Sequence, residues 1–106
     1  MHQDFEDWWN RLPDRIPSGT TIQTWSEPKG HLSATFKFRE LDRDEQEVVV
    51  DDPLRRITKH DFETVYGIWE EYCRGVVART RINGRTVNST YIIGILRWLD
   101  EHPKPD

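Results

Sequence analysis

A disulfide framework is absent from this chain, because Cys73 is the only cysteine among 106 residues. One thiol fits a reducing compartment. No apolar run approaches the roughly 18 residues needed to cross a bilayer, so no membrane span is expected. The opening MHQDFEDWWNRLPD lacks a basic region followed by an apolar one, so no secretory signal is expected. The expected location is the cytoplasm. The six glycines and six prolines are dispersed, leaving no internal repeat, no low-complexity tract and no phosphate-cradling glycine loop. The histidines His2, His31, His60 and His102 are scattered, and Cys73 has no soft partner at zinc spacing, so neither metal nor cofactor is expected.

Apolar residues are few, at 35%, but five Trp, three Tyr and four Phe supply bulk. A large aromatic buries roughly 150–250 Å², so the expected core is small in number and rich in rings. The length fits one domain over residues 1–106, with residues 1–3 and 102–106 frayed.

Phe5, Trp8, Trp9 and Leu12 follow a helical stripe, with acids in the first turn and Pro13 as the expected stop. TTIQTW and HLSATFKFREL read as strands. In the second, Leu32, Ala34, Phe36 and Phe38 alternate with polar residues, giving one buried face. SEPKG offers Pro28 and Gly30 for a reverse turn. EVVVD makes a third strand, and Pro53 is expected to close the sheet. Short links join antiparallel neighbours, so the strands form a three-stranded meander.

Thr58 is a candidate helix N-cap with Asp61 three residues on. Phe62, Val65, Tyr66, Trp69, Tyr72 and Cys73 form one helical stripe, and Gly75 is placed to end it in the left-handed region. Residues 76–83 suit either a short strand or a short helix. A final helix runs from about Asn88 to Glu101, capped by Asn88 or Ser89. The expected class is α+β, with an N-terminal helix, the meander, and two C-terminal helices packed on one sheet face.

No catalytic constellation emerges, and the chain is not expected to be an enzyme. Asp14 with Glu27 and Lys29 has the loose spacing of a nuclease carboxylate–lysine set, but Pro28 and Gly30 would put its second half in a turn. Cys73 lies on an apolar stripe with no base implied nearby. Asn88, Ser89 and Thr90 spell a glycosylation acceptor, which a helix cap explains equally well without a secretory signal.

Charge is more informative. Residues 1–53 carry twelve acids against six bases, and residues 54–106 carry seven against nine. Between residues 72 and 99 stand Arg74, Arg79, Arg81, Arg85 and Arg97 with no acid at all. Such a segment attracts anions. Within it, Ile82 and Ile92 fall seven and seventeen residues beyond Gly75. With that spacing, residues 62–99 loosely resemble the helix-turn-helix and winged-helix DNA-binding modules. The resemblance implies a turn at NGRT and a recognition helix beginning near Asn88. It would offer Asn88, Ser89, Thr90 and Arg97 to DNA, with the other arginines on the approach. The β-branched stretch VVARTRIN and the acidic total depart from that pattern.

The alternative expectation is a protein-interaction or self-associating module. Tyr91, Ile93 and Gly94 lie on a second face of the last helix, and Trp8 and Trp9 are adjacent, so one of each pair of faces could meet a partner. A small-molecule pocket lined by Trp residues is a third reading left open.

Overall fold

Apolar runs bounded by turn chemistry form three strands at the centre of the chain, and a fourth follows them. The computed structural model describes residues 4–26, 29–84 and 86–103. Residues 1–3 and 104–106 of the expected frayed ends, Pro28 of the expected turn, and Arg85 lie outside the described residues. The fold is α+β, with a four-stranded antiparallel sheet in the order β1-β2-β3-β4. Its strands are β1 (Thr21–Ser26), β2 (Gly30–Asp42), β3 (Glu47–Asp51) and β4 (Arg55–Thr58). The helices are α1 (Phe5–Asn10), α2 (Leu12–Arg15), α3 (Lys59–Tyr66), α4 (Trp69–Cys73), α5 (Arg79–Asn83) and α6 (Ser89–Glu101).

Three boundaries differ from the sequence expectation, each for a local reason. Pro13 does not end the first helix. It sits in the first turn of α2, where a missing N–H costs nothing. Pro53 does not close the sheet either. The Asp52–Pro53 turn leads into a fourth strand, pairing Val48 with Ile57 and Val50 with Arg55. The helix expected through Phe62–Cys73 breaks at Gly67 and Ile68, the point of poorest helix propensity. Segment 76–83 resolves in favour of the short helix, α5.

Other details follow the pattern in the sequence. The Thr58 hydroxyl accepts from the Asp61 N–H at 3.2 Å and caps α3. Gly75 has φ 76°, the left-handed stop after α4. In β2, one extra residue between Phe38 and Glu40 switches the inward phase, so Leu41 joins Phe36 and Phe38 in the core. Leu32 is only half-buried and Ala34 is exposed. They lie where the β1–β2 register jumps between Gln23 and Trp25, off the regular inward phase.

One sheet face, carrying Ile22, Phe36, Phe38, Leu41, Val48, Val50 and Ile57, is buried beneath the helices. α6 lies along β1 and touches α3 on its other side. The opposite face is a lattice of paired charges, with Arg39 on Asp51, and Arg56 on both Asp42 and Glu47. Hydrogen bonds to Asp44, Glu45 and Arg56 hold the Asp42 carboxyl below its ordinary range.

Residues Ile92 to Leu96 of α6 are buried without interruption, so this helix is apolar on every side for more than a turn. Gly94 is its point of closest approach to the sheet. A Cβ there would stand 3.0 Å from Phe36 Cε1 and 3.2 Å from Cζ. Ala would gain helix propensity of roughly 1 kcal/mol, but overpacking a buried ring costs about 1–3 kcal/mol. Gly94→Ala is therefore expected to lower unfolding stability by about 1 kcal/mol, read from denaturant melts. A gain in stability would show that the Phe36 ring yields freely.

The C-terminal end of α6 is tied to the sheet by His31 Nε2, which donates to Glu101 Oε2 at 2.8 Å. Burial pushes the Glu101 carboxyl up, but His31 and Arg97 outweigh it and leave the group below its ordinary value. A carboxyl with a depressed folded pKa stabilises above its unfolded pKa, and that contribution vanishes as pH falls through the folded value. Glu101→Gln should cost less than about 1 kcal/mol at neutral pH. The two proteins should then converge in stability as the pH is taken down into the carboxyl range, measured by thermal melts.

Candidate functional site

The acid-free segment folds largely on itself. After Gly75, residues 76–78 run as a loop to Ala78, the N-cap of α5, and Gly84 ends that helix. The short α5 then lies beside the first turn of α6 through a compact polar network. Asn83 Oδ1 accepts from Ser89 Oγ at 2.7 Å and from Arg79 Nε at 3.2 Å. Arg79 also donates from Nη2 to Thr90 Oγ1 at 3.1 Å. Asn88 donates from Nδ2 to Asp61 Oδ2 at 3.3 Å, joining α6 to α3.

This network decides what the start of α6 offers. Asn88 occupies the N-cap position, but its side chain makes no cap bond. The N–H groups of Tyr91 and Ile92 bond to its carbonyl instead. Ser89 is buried at 6% exposure, and only Thr90 of the three polar residues is exposed. Their polar groups are thus engaged within the chain. Arg97 is separated from the other arginines by two turns of helix. Its guanidinium carbon lies 4.6 Å from the Trp25 ring centre, and its Nε is 3.3 Å from Glu101 Oε2.

Arg74, Arg79 and Arg81 are different. Most bases elsewhere among the described residues meet a carboxylate: Arg11 with Asp7, Lys37 with Asp52, Arg39 with Asp51, Arg56 with Asp42, and Lys59 with Glu6. Arg79 is held only by the neutral acceptors of Asn83 and Thr90, and Arg74 and Arg81 are exposed. Beside them, Val76 and Val87 are 71% and 92% exposed. The α4–α5 loop, α5 and the turn into α6 therefore carry three arginines that make no ion pair among the described residues, with Arg74 sharing a hollow with Glu70 and Asp100.

The residues expected at a partner interface are used differently. Trp8, Trp9, Ile93 and Gly94 are buried in the chain's own core, and Tyr91 is half-buried. Trp8 and Trp9 are both covered because α1 is sunk between α3 and the β2–β3 turn. Trp8 packs on Phe62 and Tyr66, while Trp9 meets Phe62 edge-on and donates its indole N–H to Gln46 Oε1 at 3.1 Å. Tyr91 stands edge-on to Phe36, with Arg55 over its ring.

A cleft that no sequence pattern identified opens where α2, the α3–α4 break and α6 meet. It encloses about 410 Å³ between Trp8, Tyr66 and Trp69 on one side and Leu96 and Leu99 on the other. Arg15 lines it from α2, and Glu70, Glu71 and Asp100 line its acidic side. Arg15 donates from Nη2 to the Leu99 carbonyl at 3.2 Å, while its buried Nε has no partner. Leaving a buried donor unmet costs about 1–3 kcal/mol. Trp69 donates its indole N–H to Asp100 Oδ2 at 2.8 Å, fixing one wall. Burial, together with the Asp4 charge, pushes the Tyr66 hydroxyl pKa up. No spacing could reveal this site, since Arg15 and Asp100 stand at opposite ends of the chain.

Among the described residues, no group of His, Cys, Asp and Glu is arranged to hold a metal ion. Nor, among them, is any helix long and apolar enough to cross a membrane. Cys73 is half-buried on α4. Comparison of the chain with protein-family models, with curated proteins and with solved structures finds no match.

Proposed function

We propose that this chain is a small binding module that holds the phosphate backbone of a nucleic acid against its α5–α6 tip. The observation that carries the reading is the set Arg74, Arg79 and Arg81, close in the chain and without an ion pair among the described residues, whereas Arg11, Lys37, Arg39, Arg56 and Lys59 each meet a carboxylate. A guanidinium held by neutral acceptors keeps its full charge, and its planar fork suits phosphate oxygens. Arg85 belongs to the same sequence run and lies outside the described residues. Because Asn88 and Ser89 are committed within the chain, the supported mode is contact with the backbone rather than with base edges. Sequence preference is therefore expected to be weak. Self-association through Trp8, Trp9, Ile93 and Gly94 finds less support, since all four are already covered.

Three phosphate contacts imply a log–log salt slope near −2.7, so affinity should fall about 40-fold between roughly 50 and 200 mM salt. Fluorescence anisotropy with a labelled duplex tests this directly. Replacing Arg74, Arg79 and Arg81 together with Gln should flatten the slope and remove most of the affinity, whatever the duplex sequence. A duplex that fails to bind at low salt would overturn the reading. So would unchanged binding by the triple variant, or equal binding of polyglutamate in place of the duplex.

A further inference from the structure

The cleft between α2, the α3–α4 break and α6 has no part in the proposed nucleic-acid contact, yet its chemistry is specific. We propose that it binds a small zwitterion, an α-amino acid with an apolar or aromatic side chain. Three features of the cleft match the three parts of such a ligand. Arg15 has one arm on the Leu99 carbonyl and no acceptor for its Nε, so its guanidinium is short of partners. A carboxylate is the group that a guanidinium receives best, through paired N–H donors. Glu70, Glu71 and Asp100 line the same cleft. Asp100 is committed through one oxygen to the Trp69 indole, which leaves its second oxygen to accept from an ammonium. Trp8, Trp69 and Leu96 supply an apolar wall for a side chain.

Size agrees with charge. About 410 Å³ falls in the lower part of the range of small-molecule sites, roughly 300–1,000 Å³. A purely cationic ligand would meet the acidic side but also the Arg15 guanidinium. A purely anionic one would satisfy Arg15 while facing Glu71 and Asp100. A ligand carrying both charges offers a partner to the guanidinium and to the carboxylates alike. Gly67, at the helix break, lines the opening without adding a side chain to it.

The Trp69 indole N–H, pinned on Asp100, is a resonance that reports directly on this site. Its signal is identified in a ¹⁵N correlation spectrum by its loss in Trp69→Phe. Titration with L-phenylalanine or L-leucine should shift it in a saturable way, while the Trp98 indole, stacked on His102 at another edge, stays put. 2-Phenylethylamine, which lacks the carboxylate, and 3-phenylpropionate, which lacks the ammonium, should each bind at least about tenfold more weakly than phenylalanine. Arg15→Gln should weaken phenylalanine about tenfold while leaving phenylethylamine unchanged, and Asp100→Asn should do so while sparing phenylpropionate. This crossed pattern separates loss of a contact from loss of the fold, and wild-type protein with the three ligands tests the idea even if a variant fails to fold. Three results would overturn it: no saturable shift with either amino acid, phenylethylamine binding as tightly as phenylalanine, or phenylpropionate doing so.

Discussion

The seat of Gly94 of α6 against the Phe36 ring of β2, where a Cβ would not fit without a shift, sets where the elements around it must lie. A helix buried from Ile92 through Leu96 needs cover on all sides, and it finds the sheet on one and α3 on another. With no Cβ at Gly94, the helix axis settles low over β1, and Ile22 packs at the same point. Phe36, held from behind, presents its edge to Tyr91, and Arg55 lies over that tyrosine from the far edge strand. The descent of α6 also brings its last turns to the rim of β1. There Arg97 covers Trp25 and Glu101 receives His31. Moving the helix outward by the width of one methyl group would loosen all of these together, since packed interiors relax only in part.

The aromatic residues form two clusters, and the break in the α3–α4 helix divides them. Phe5, Trp8, Trp9, Phe62 and Tyr66 gather beneath α1, while Trp25, Trp69 and Tyr72 gather at the end of β1. A straight helix would carry Trp69 and Tyr72 around on the same stripe as Phe62 and Tyr66. The change of direction at Gly67 and Ile68 lets each group reach its own partners. Two of the large rings also need a polar partner for the indole, and they find it far away in sequence: Gln46 for Trp9, Asp100 for Trp69. The gap at the break is the cleft. It is a consequence of serving two aromatic clusters with one short chain.

Features of the fold that depend on neighbouring residues could be read in the sequence. The bounds of β3, the Thr58–Asp61 cap and the left-handed Gly75 all rest on chemistry within a few positions. The extent of the last helix does too. The missed features depend on partners far along the chain. β4, with its arginines outside and only Ile57 buried inside, is a strand because β3 needs an edge partner. Residues 79–83 are helical against their β propensity because Asn83 must meet both Arg79 and Ser89. In the sequence, Trp8 and Trp9 leave open whether both join the core or one faces a partner, since 100° separates neighbours on a helix. A groove deep enough to cover both faces of α1 cannot be read from α1. The basic run was visible as composition, but its committed members, Asn88 and Ser89, could not be told from free ones.

Among the described residues, the absence of ion pairs at Arg79 and Arg81 has its origin in the same distinction between local and distant contacts. Most ion pairs of this protein join close neighbours: Arg11 and Asp7 one helical turn apart, Arg39 and Asp51 across a hairpin, Arg56 and Glu47 across the next. Such pairs form where acids and bases alternate in the chain. From residue 72 to residue 99 no acid is present, so Arg79 and Arg81 have no carboxylate within a helical turn of them in the chain, whereas Arg74 stands four residues after Glu70. Among the described residues, the carboxylate that reaches the polar network of α5 and α6 is Asp61, which accepts from the Asn88 amide. The remaining surface carries the excess of acids that makes the net charge −4. On the proposed reading, a polyanion would be attracted at the α5–α6 end and repelled by the acidic remainder, so the same charge distribution would orient its approach.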